Sequence, residues 1–396
     1  MSRSTNQQDL IKQLEELAVL DGRFSDIECI NCHDVGVRKG VTALVFSAFD
    51  TVEEEKVAIK FLDPDLLGDS YRQAVFEREP VILKLLNGKK RCLAIVHGPS
   101  KFDWAFDVAG NLSSLPIKFF VTNWLDIDVE PYFVCQDKYD ALEKLNVFRN
   151  TVLATASFHS EGISHRDLKS DNFRGFDEDG NLVVVVIDFG TAAHYEMPPA
   201  TSSSDYPDMS VGAPAFSAPE SLIGLAGYRN VGKSTDIYAL GALLYQLFNP
   251  EIFAIAREKN VHFLQSLTFL KAKMASVKSF EEKEELWASE LKPFKYILEP
   301  PKIEGNGHSI PSSIINILDT LHRNMTVFDY NLRLSDLDTV LKKVDSAIRV
   351  LTNQKLDRQR AHKRKVMREH RINKLRLKEK KLTDYLALKN RLESKC

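Results

Sequence analysis

Asp167, Lys169 and Asn172 fall within six residues of one another, and Asp188 stands sixteen residues beyond Asn172. A carboxylate and an amide carbonyl, Asp188 and Asn172, are the hard oxygen ligands that suit Mg²⁺. The second carboxylate, Asp167, is of the type that accepts a hydroxyl's hydrogen bond and then its proton. Lys169, two residues on, points the same way along an extended loop and offers a positive charge to a phosphate. Upstream, Lys60 ends the apolar run Val57-Ala58-Ile59-Lys60. A lysine buried there needs a carboxylate partner to keep its charge, and Glu79 and Glu77 are the candidates. Moving a phosphoryl group requires positioned phosphates, cations that offset negative charge and an oriented hydroxyl, with little covalent help.

These residues must be positioned by strands followed by helices. Leu10, Ile11, Leu14, Leu17 and Ala18 mark one face of a helix over residues 7–20, with Ser4, Thr5 and Asn6 as available caps. Residues 42–48 and 56–62 read as strands separated by the polar stretch 50–55. Residues 71–86 read as a helix that Pro80 is expected to bend or break. Residues 117–125 read as a buried strand, and 142–158 as a helix leading into a polar turn. The valine run within 182–187 predicts a strand buried on both faces, with Asp188 at its end. Residues 200–210 are rich in Ser, Asp and Pro and read as a loop. An apolar helix covers 234–248, and further helices run on to residue 350 or so. Strands first and helices after predict an α+β fold in two parts.

The runs His165-Arg166-Asp167-Leu168-Lys169-Ser170-Asp171-Asn172, Asp188-Phe189-Gly190, Val57-Ala58-Ile59-Lys60 and Ala218-Pro219-Glu220 occur together in one chain. In order and spacing this set resembles the eukaryotic-type protein kinase family, serine/threonine branch, over residues 35–345. The resemblance implies a bilobal protein-kinase-like fold, with a β-rich N-lobe at 35–126 and a mostly helical C-lobe at 127–345. A helical extension over 1–34 would precede it, and a basic helical tail over 346–396 would follow. The implied cofactors are ATP and Mg²⁺, held between the lobes. The implied reaction is transfer of the γ-phosphoryl group to a protein Ser or Thr hydroxyl, with autophosphorylation.

Carried over residue by residue, Asp167 takes the hydroxyl proton, Lys169 neutralises the γ-phosphate, and Lys60 meets the α- and β-phosphates while pairing with Glu79. Asn172 and Asp188 hold Mg²⁺. Phe119-Phe120-Val121-Thr122-Asn123-Trp124-Leu125 resembles the last N-lobe strand and the hinge. That makes Thr122 the gatekeeper and offers the backbone of Asn123 and Leu125 to adenine. Gly40, Val45 and Ala58 complete the implied nucleotide site. His165 and Arg166 are structural parts of the catalytic loop, Asp236 resembles the buried Asp that props it, and Arg333 resembles the ion-pair partner of Glu220. Arg166 before Asp167 also resembles kinases regulated through an activation loop. Thr201, Ser202, Ser203, Ser204 and Tyr206 are the candidate phosphorylation sites there.

The chain departs from the family pattern at three places. Counted back from Val45, the phosphate-loop glycines fall at Arg38, Gly40 and Ala43, so only the middle one is kept, with Gly36 nearby. Such glycines let backbone N–H groups approach phosphates closely. Their loss weakens ATP binding and leaves a pseudokinase, a binding module on the same fold, as an alternative. Arg174 replaces the usual apolar residue beneath adenine. Ala213 stands where Ser/Thr kinases carry a Thr that bonds to the catalytic Asp and Lys, which leaves dual or tyrosine specificity open, although Lys169 favours Ser/Thr.

Two other motifs fit patterns without their context. Gly227-Tyr228-Arg229-Asn230-Val231-Gly232-Lys233-Ser234 matches a P-loop, but no buried strand precedes it, and Lys233 and Ser234 are expected to open the helix that buries Asp236. Cys29-Ile30-Asn31-Cys32-His33 matches a haem attachment pattern, but residues 1–20 hold no apolar export core and no second CxxC completes a zinc site. The five cysteines are too sparse for a disulfide framework. The longest apolar run, 237–248, is too short to span a bilayer. A reduced, cytoplasmic protein is expected. The net charge of −2 hides an asymmetry, since residues 355–396 hold 16 Lys and Arg against 5 Asp and Glu. An acidic body thus carries a basic tail. The tail reads as a solvated helix. The alternatives are binding to nucleic acid or another acidic surface, and self-association through the seven-residue spacings Leu375–Leu382 and Tyr385–Leu392.

Overall fold

A computed structural model describes residues 4–31, 42–108, 110–134, 138–194, 212–226, 229–277, 279–294, 297–304 and 310–393. It divides into two units, Met1–Asp345 and Ser346–Cys396.

The first unit opens with helix α1 (Thr5–Glu15), started by a capping box in which Ser4 Oγ accepts from Gln7 N and the Gln7 side chain accepts from Ser4 N. Leu10, Ile11 and Leu14 form its buried stripe. One antiparallel sheet follows. Its strands are β1 (Phe24–Cys29), β2 (Ala43–Asp50), β3 (Glu55–Leu62), β4 (Ile95–Val108) and β5 (Asn111–Asn123), in the spatial order β1-β2-β3-β5-β4. Strand β1 lies inside the segment 1–34, after the helix read at 7–20 and ahead of the β-like runs read from Cys29 on. Phe24, Ile27 and Cys29 are buried, and an irregularity in register between Ser25 and Glu28 breaks the period of two that would have announced the strand.

Helix α2 (Ser70–Leu86) runs through Pro80 without the expected break. Proline removes a single backbone donor, while Val75, Phe76, Ile82, Leu83 and Leu86 keep the helix seated on a buried face. In the sheet, Val45 lies opposite Lys60, Lys60 opposite Phe120, and Ala58 opposite Thr122. Cross-strand partners share a face and every second residue returns to it. Val45, Ala58, Lys60 and Thr122 therefore lie on one face of the sheet. Phe46, Phe61 and Phe119 fill the other face, with ring centroids 5.5 and 4.9 Å apart along the row.

The chain then becomes mostly helical. The segments are β6 (Ile127–Asp128), α3 (Glu130–Val134), α4 (Ala141–Ser160), β7 (Ile163–Ser164), β8 (Phe173–Glu178), β9 (Asn181–Val186), β10 (Ala193–His194) and α5 (Pro219–Leu222). After them come α6 (Arg229–Phe248), α7 (Phe253–Glu258), α8 (Val261–Met274), α9 (Phe280–Glu290), α10 (Ser312–Met325) and α11 (Leu337–Glu393). Strands β6, β8 and β9 form a small sheet, and β7 pairs with β10. The valines of β9 are buried, as are Ile237, Leu240, Leu244 and Phe248 of α6. These two apolar elements fix the positions of Asp188 and Asp236. The second unit is the remainder of α11, where Lys363, Lys365, Arg368, Arg371 and Lys374 are exposed. Among the described residues no helix is long and apolar enough to cross a membrane.

Candidate active site

Residues 165–172 link β7 to β8, and their shape is imposed from below by Asp236. Its fully buried carboxylate accepts from the backbone N–H of His165 at 2.8 Å and of Arg166 at 2.7 Å, and lies 2.8 Å from His159 Nε2. A buried carboxylate is tolerated when its lone pairs are filled in this way. Arg166 is held in the left-handed region at φ 68°, where non-glycine residues are uncommon. Its guanidinium donates to Thr191 O at 2.7 Å, and Thr191 Oγ1 donates to His165 O at 3.0 Å. Asp188 also has φ 68°, which turns the chain sharply at the end of β9.

Asn172 Nδ2 donates to Asp167 O at 2.9 Å, which orients its amide. Asp167 Oδ1 accepts from Ala213 N at 2.6 Å. A backbone donor thus stands where the threonine hydroxyl is missing. Gly212 makes this approach possible: it has φ +87°, and a Cβ there would lie 2.5 Å from Arg166 O. Burial pushes the Asp167 carboxyl up to about 7, and Lys169 and the Ala213 N–H offset only part of that. Lys169 Nζ lies 3.3 Å from Asp171 Oδ2.

Lys60 Nζ donates to both oxygens of Glu79, at 2.7 and 2.9 Å, and lies 3.6 Å from Asp188 Oδ1. Burial opposes the charge on Lys60, but the two carboxylates outweigh it and raise its pKa. Burial likewise pushes Asp188 up, yet Lys60, His165 and Lys169 together hold it below its ordinary value. Glu79 also accepts from Phe189 N at 3.3 Å, so it joins Lys60 to the turn after Asp188. Glu77 points elsewhere and pairs with Lys118 near the surface.

Thr122 and Leu125 are buried. Asn123 is tied to Ala94 twice: its N–H donates to Ala94 O at 3.1 Å, and its Oδ1 accepts from Ala94 N at 2.9 Å. Arg174 is drawn aside by Asp128, 2.6 Å away. Arg333 and Glu220 form a doubly bonded pair without exposure on either side chain, with Nη2 to Oε2 at 3.0 Å. Gly40 and the candidates Thr201, Ser202, Ser203, Ser204 and Tyr206 lie outside the described residues. In the P-loop look-alike, Gly232, Lys233 and Ser234 belong to α6, and Lys233 donates to His159 O at 2.6 Å. The residues that sequence reasoning missed are His159, Thr191, Gly212 and Arg78. Only Gly212 carried a readable signal, as a glycine directly before Ala213.

Residues 33–335 match the family model for the protein kinase domain. The chain belongs to the protein kinase family. Kinases similar to it include a maternal embryonic leucine zipper kinase of Xenopus laevis, 32% identical over 215 residues, which make up 53% of this chain and 29% of that protein. A serine/threonine-protein kinase PknD of Chlamydia felis is 30% identical over 228 residues, 53% of this chain and 23% of the relative. The carbon catabolite-derepressing protein kinase of Saccharomyces cerevisiae is 26% identical over 200 residues, 50% of this chain and 27% of the relative. The matched region spans less than a third of the length of these kinases.

Proposed function

We propose that the chain is an ATP-dependent protein kinase that transfers the γ-phosphoryl group to Ser or Thr hydroxyls. The observation that carries this reading is one cluster: Lys60 held by Glu79 and Asp188, with Asp167 beside Lys169 and poised near pH 7. Asp167 would take the hydroxyl proton, since a base whose pKa lies near the working pH is best placed to do so. Lys60 and Lys169 would place positive charge against the phosphates in a site largely removed from water. The name of the Chlamydia felis relative, a serine/threonine-protein kinase, supports Ser/Thr as the acceptor.

Asp188 and the oriented amide of Asn172 are oxygen donors of the kind Mg²⁺ takes. Among the described residues no group of three or more His, Cys, Asp or Glu would hold a metal alone. Mg²⁺ would therefore bind with nucleotide phosphates completing its shell, and would offset their charge. Arg166 and Arg78 support control by phosphate at Thr201–Tyr206. Burial, with the nearby charge of Arg78, brings Arg166 down to about 10, and Arg78 Nη2 is buried without a hydrogen-bond partner among the described residues. Two crowded guanidiniums favour an anion between them. The reading includes a cytoplasmic site of action, supported by sparse cysteines, and a basic tail that is a solvated helix, with binding to nucleic acid or another acidic surface as the alternative that its charge offers.

The test is incubation of purified protein with Mg²⁺ and labelled ATP beside a Lys60→Met variant, with phosphosites mapped by mass spectrometry. Label on the wild type alone, on Ser or Thr, is expected. ATP bound without transfer to itself or to generic protein substrates would contradict the reading in favour of a pseudokinase.

A further inference from the structure

Helix α1 lies ahead of residues 33–335, the span that matches the family, yet it is fastened to the machinery of the ATP site. Gln7, almost fully buried, donates from Nε2 to Asp63 Oδ2 at 2.7 Å across 56 residues of chain. Asn6 Nδ2 donates to Asp65 Oδ1 at 3.2 Å. Asp63 is fully buried and continues β3 three residues after Lys60. Its other oxygen accepts from Asp65 N at 3.0 Å and starts the short turn Pro64–Leu66. Asp69 then caps α2 by accepting from Arg72 N at 3.0 Å, and α2 carries Glu79. The bond from Gln7 therefore lands on the joint between the strand that holds Lys60 and the helix that holds Glu79.

The same helix grips two further places. Glu15 Oε1 accepts from Cys29 N at 3.0 Å, at the end of β1. Asp9 Oδ2 accepts from Trp104 Nε1 at 2.9 Å, on β4. Four residues of one helix, Asn6, Gln7, Asp9 and Glu15, thus hold the end of β1, the far edge of the sheet, and the turn before α2. Hydrophobic burial of Leu10, Ile11 and Leu14 alone would seat a helix there with no preference for that turn; the buried amide–carboxylate bond is directional and fixes it.

We propose that α1 is a positioning clamp for phosphoryl transfer, in which Gln7, through Asp63, fixes the turn between β3 and α2 so that the Lys60–Glu79 pair stays closed. Gln7 is a positioning residue, since it acts only through Asp63. The proposal rests on the kinase reading for its effect on rate, but its effect on α2 is independent of it.

The experiment uses the full chain and three variants: Gln7→Leu, Gln7→Glu and the exchanged pair Gln7→Glu/Asp63→Asn. Hydrogen–deuterium exchange follows α2 and, as an internal reference, α6; steady-state phosphoryl transfer follows kcat and the KM for ATP. Gln7→Leu should speed exchange in α2 and lower kcat/KM for ATP, each about tenfold, the size of one hydrogen bond to a charged group. Exchange in α6 should not change. Gln7→Glu, which sets two carboxylates face to face, should be worse, and the exchanged pair should restore both readouts because the donor and acceptor have swapped sides. Unchanged α2 exchange in Gln7→Leu would overturn the clamp, as would an exchanged pair that restores nothing. Equal acceleration in α2 and α6 would overturn it too, because it would reveal general loss of stability. Exchange is read without ATP, so a wild type that transfers no phosphate would refute the kinase reading and leave α2 to decide the clamp.

Discussion

The two sides of the site are held by different physics. Around Asp167 the support is a network of buried charged and backbone groups: Asp236 under His165 and Arg166, Ala213 N–H on Asp167, and Arg333 on Glu220 behind them. Around Lys60 the support is the register of a sheet, one ion pair to α2, and a helix from outside the matched domain. A polar network dictates residue identity, because each buried charge needs a specific partner. A sheet face dictates little more than size and alternation. The first side should therefore be intolerant of single changes, and the second should yield by degrees.

The largest effect expected is on stability. Arg333→Met leaves the Glu220 carboxylate buried and unpaired, which should cost about 3–5 kcal/mol in chemical denaturation. A loss below about 1 kcal/mol would mean that the pair is replaceable. Next, Glu79→Gln removes the charge that keeps Lys60 in place. Transfer should fall about a hundredfold in kcat/KM, with circular dichroism unchanged. A smaller loss than that from Gln7→Leu would invert the order argued for this side.

A milder perturbation is pH. Burial raises Asp167 to about 7, so it is protonated and unable to act as a base in acid. The rate should climb about tenfold per pH unit below that value and level off above it. A profile flat from about pH 5.5 to about pH 8 would mean that Asp167 is not the titrating base. The smallest effect belongs to Lys233→Met. It removes one donor from His159 O, should cost about 1 kcal/mol of stability, and should leave ATP affinity untouched. Lost ATP affinity would revive the P-loop reading.

What was legible in the sequence follows the same division. Asp167, Asn172, Asp188, Lys60 and the choice of Glu79 over Glu77 were readable, because each is a charged or polar residue in a fixed spacing. The apolar strand before Asp188 and the helix under Asp236 announced themselves by continuous burial. Strand β1 was not readable, since its register irregularity hides the alternation and only later pairing with β2 makes it a strand. The helix over 71–86 was readable, and Pro80 does not break it because tertiary packing of α2 overrides local preference. His159 and Gln7 were silent because each bonds to a residue more than 50 positions away, and a lone His or Gln on a helix gives no sign of its partner.

The most direct measurement of the central claim compares wild type with Asp167→Asn in a single-turnover experiment, reading ATP affinity and transfer rate on the same samples. ATP affinity should be equal in the two proteins, because Lys60, Glu79 and Asp188 are untouched. Transfer should fall about a thousandfold, the scale of a lost general base. An Asp167→Asn protein that transfers phosphate at the wild-type rate would contradict the role given to Asp167, and a wild type that binds ATP and transfers nothing would contradict the activity itself.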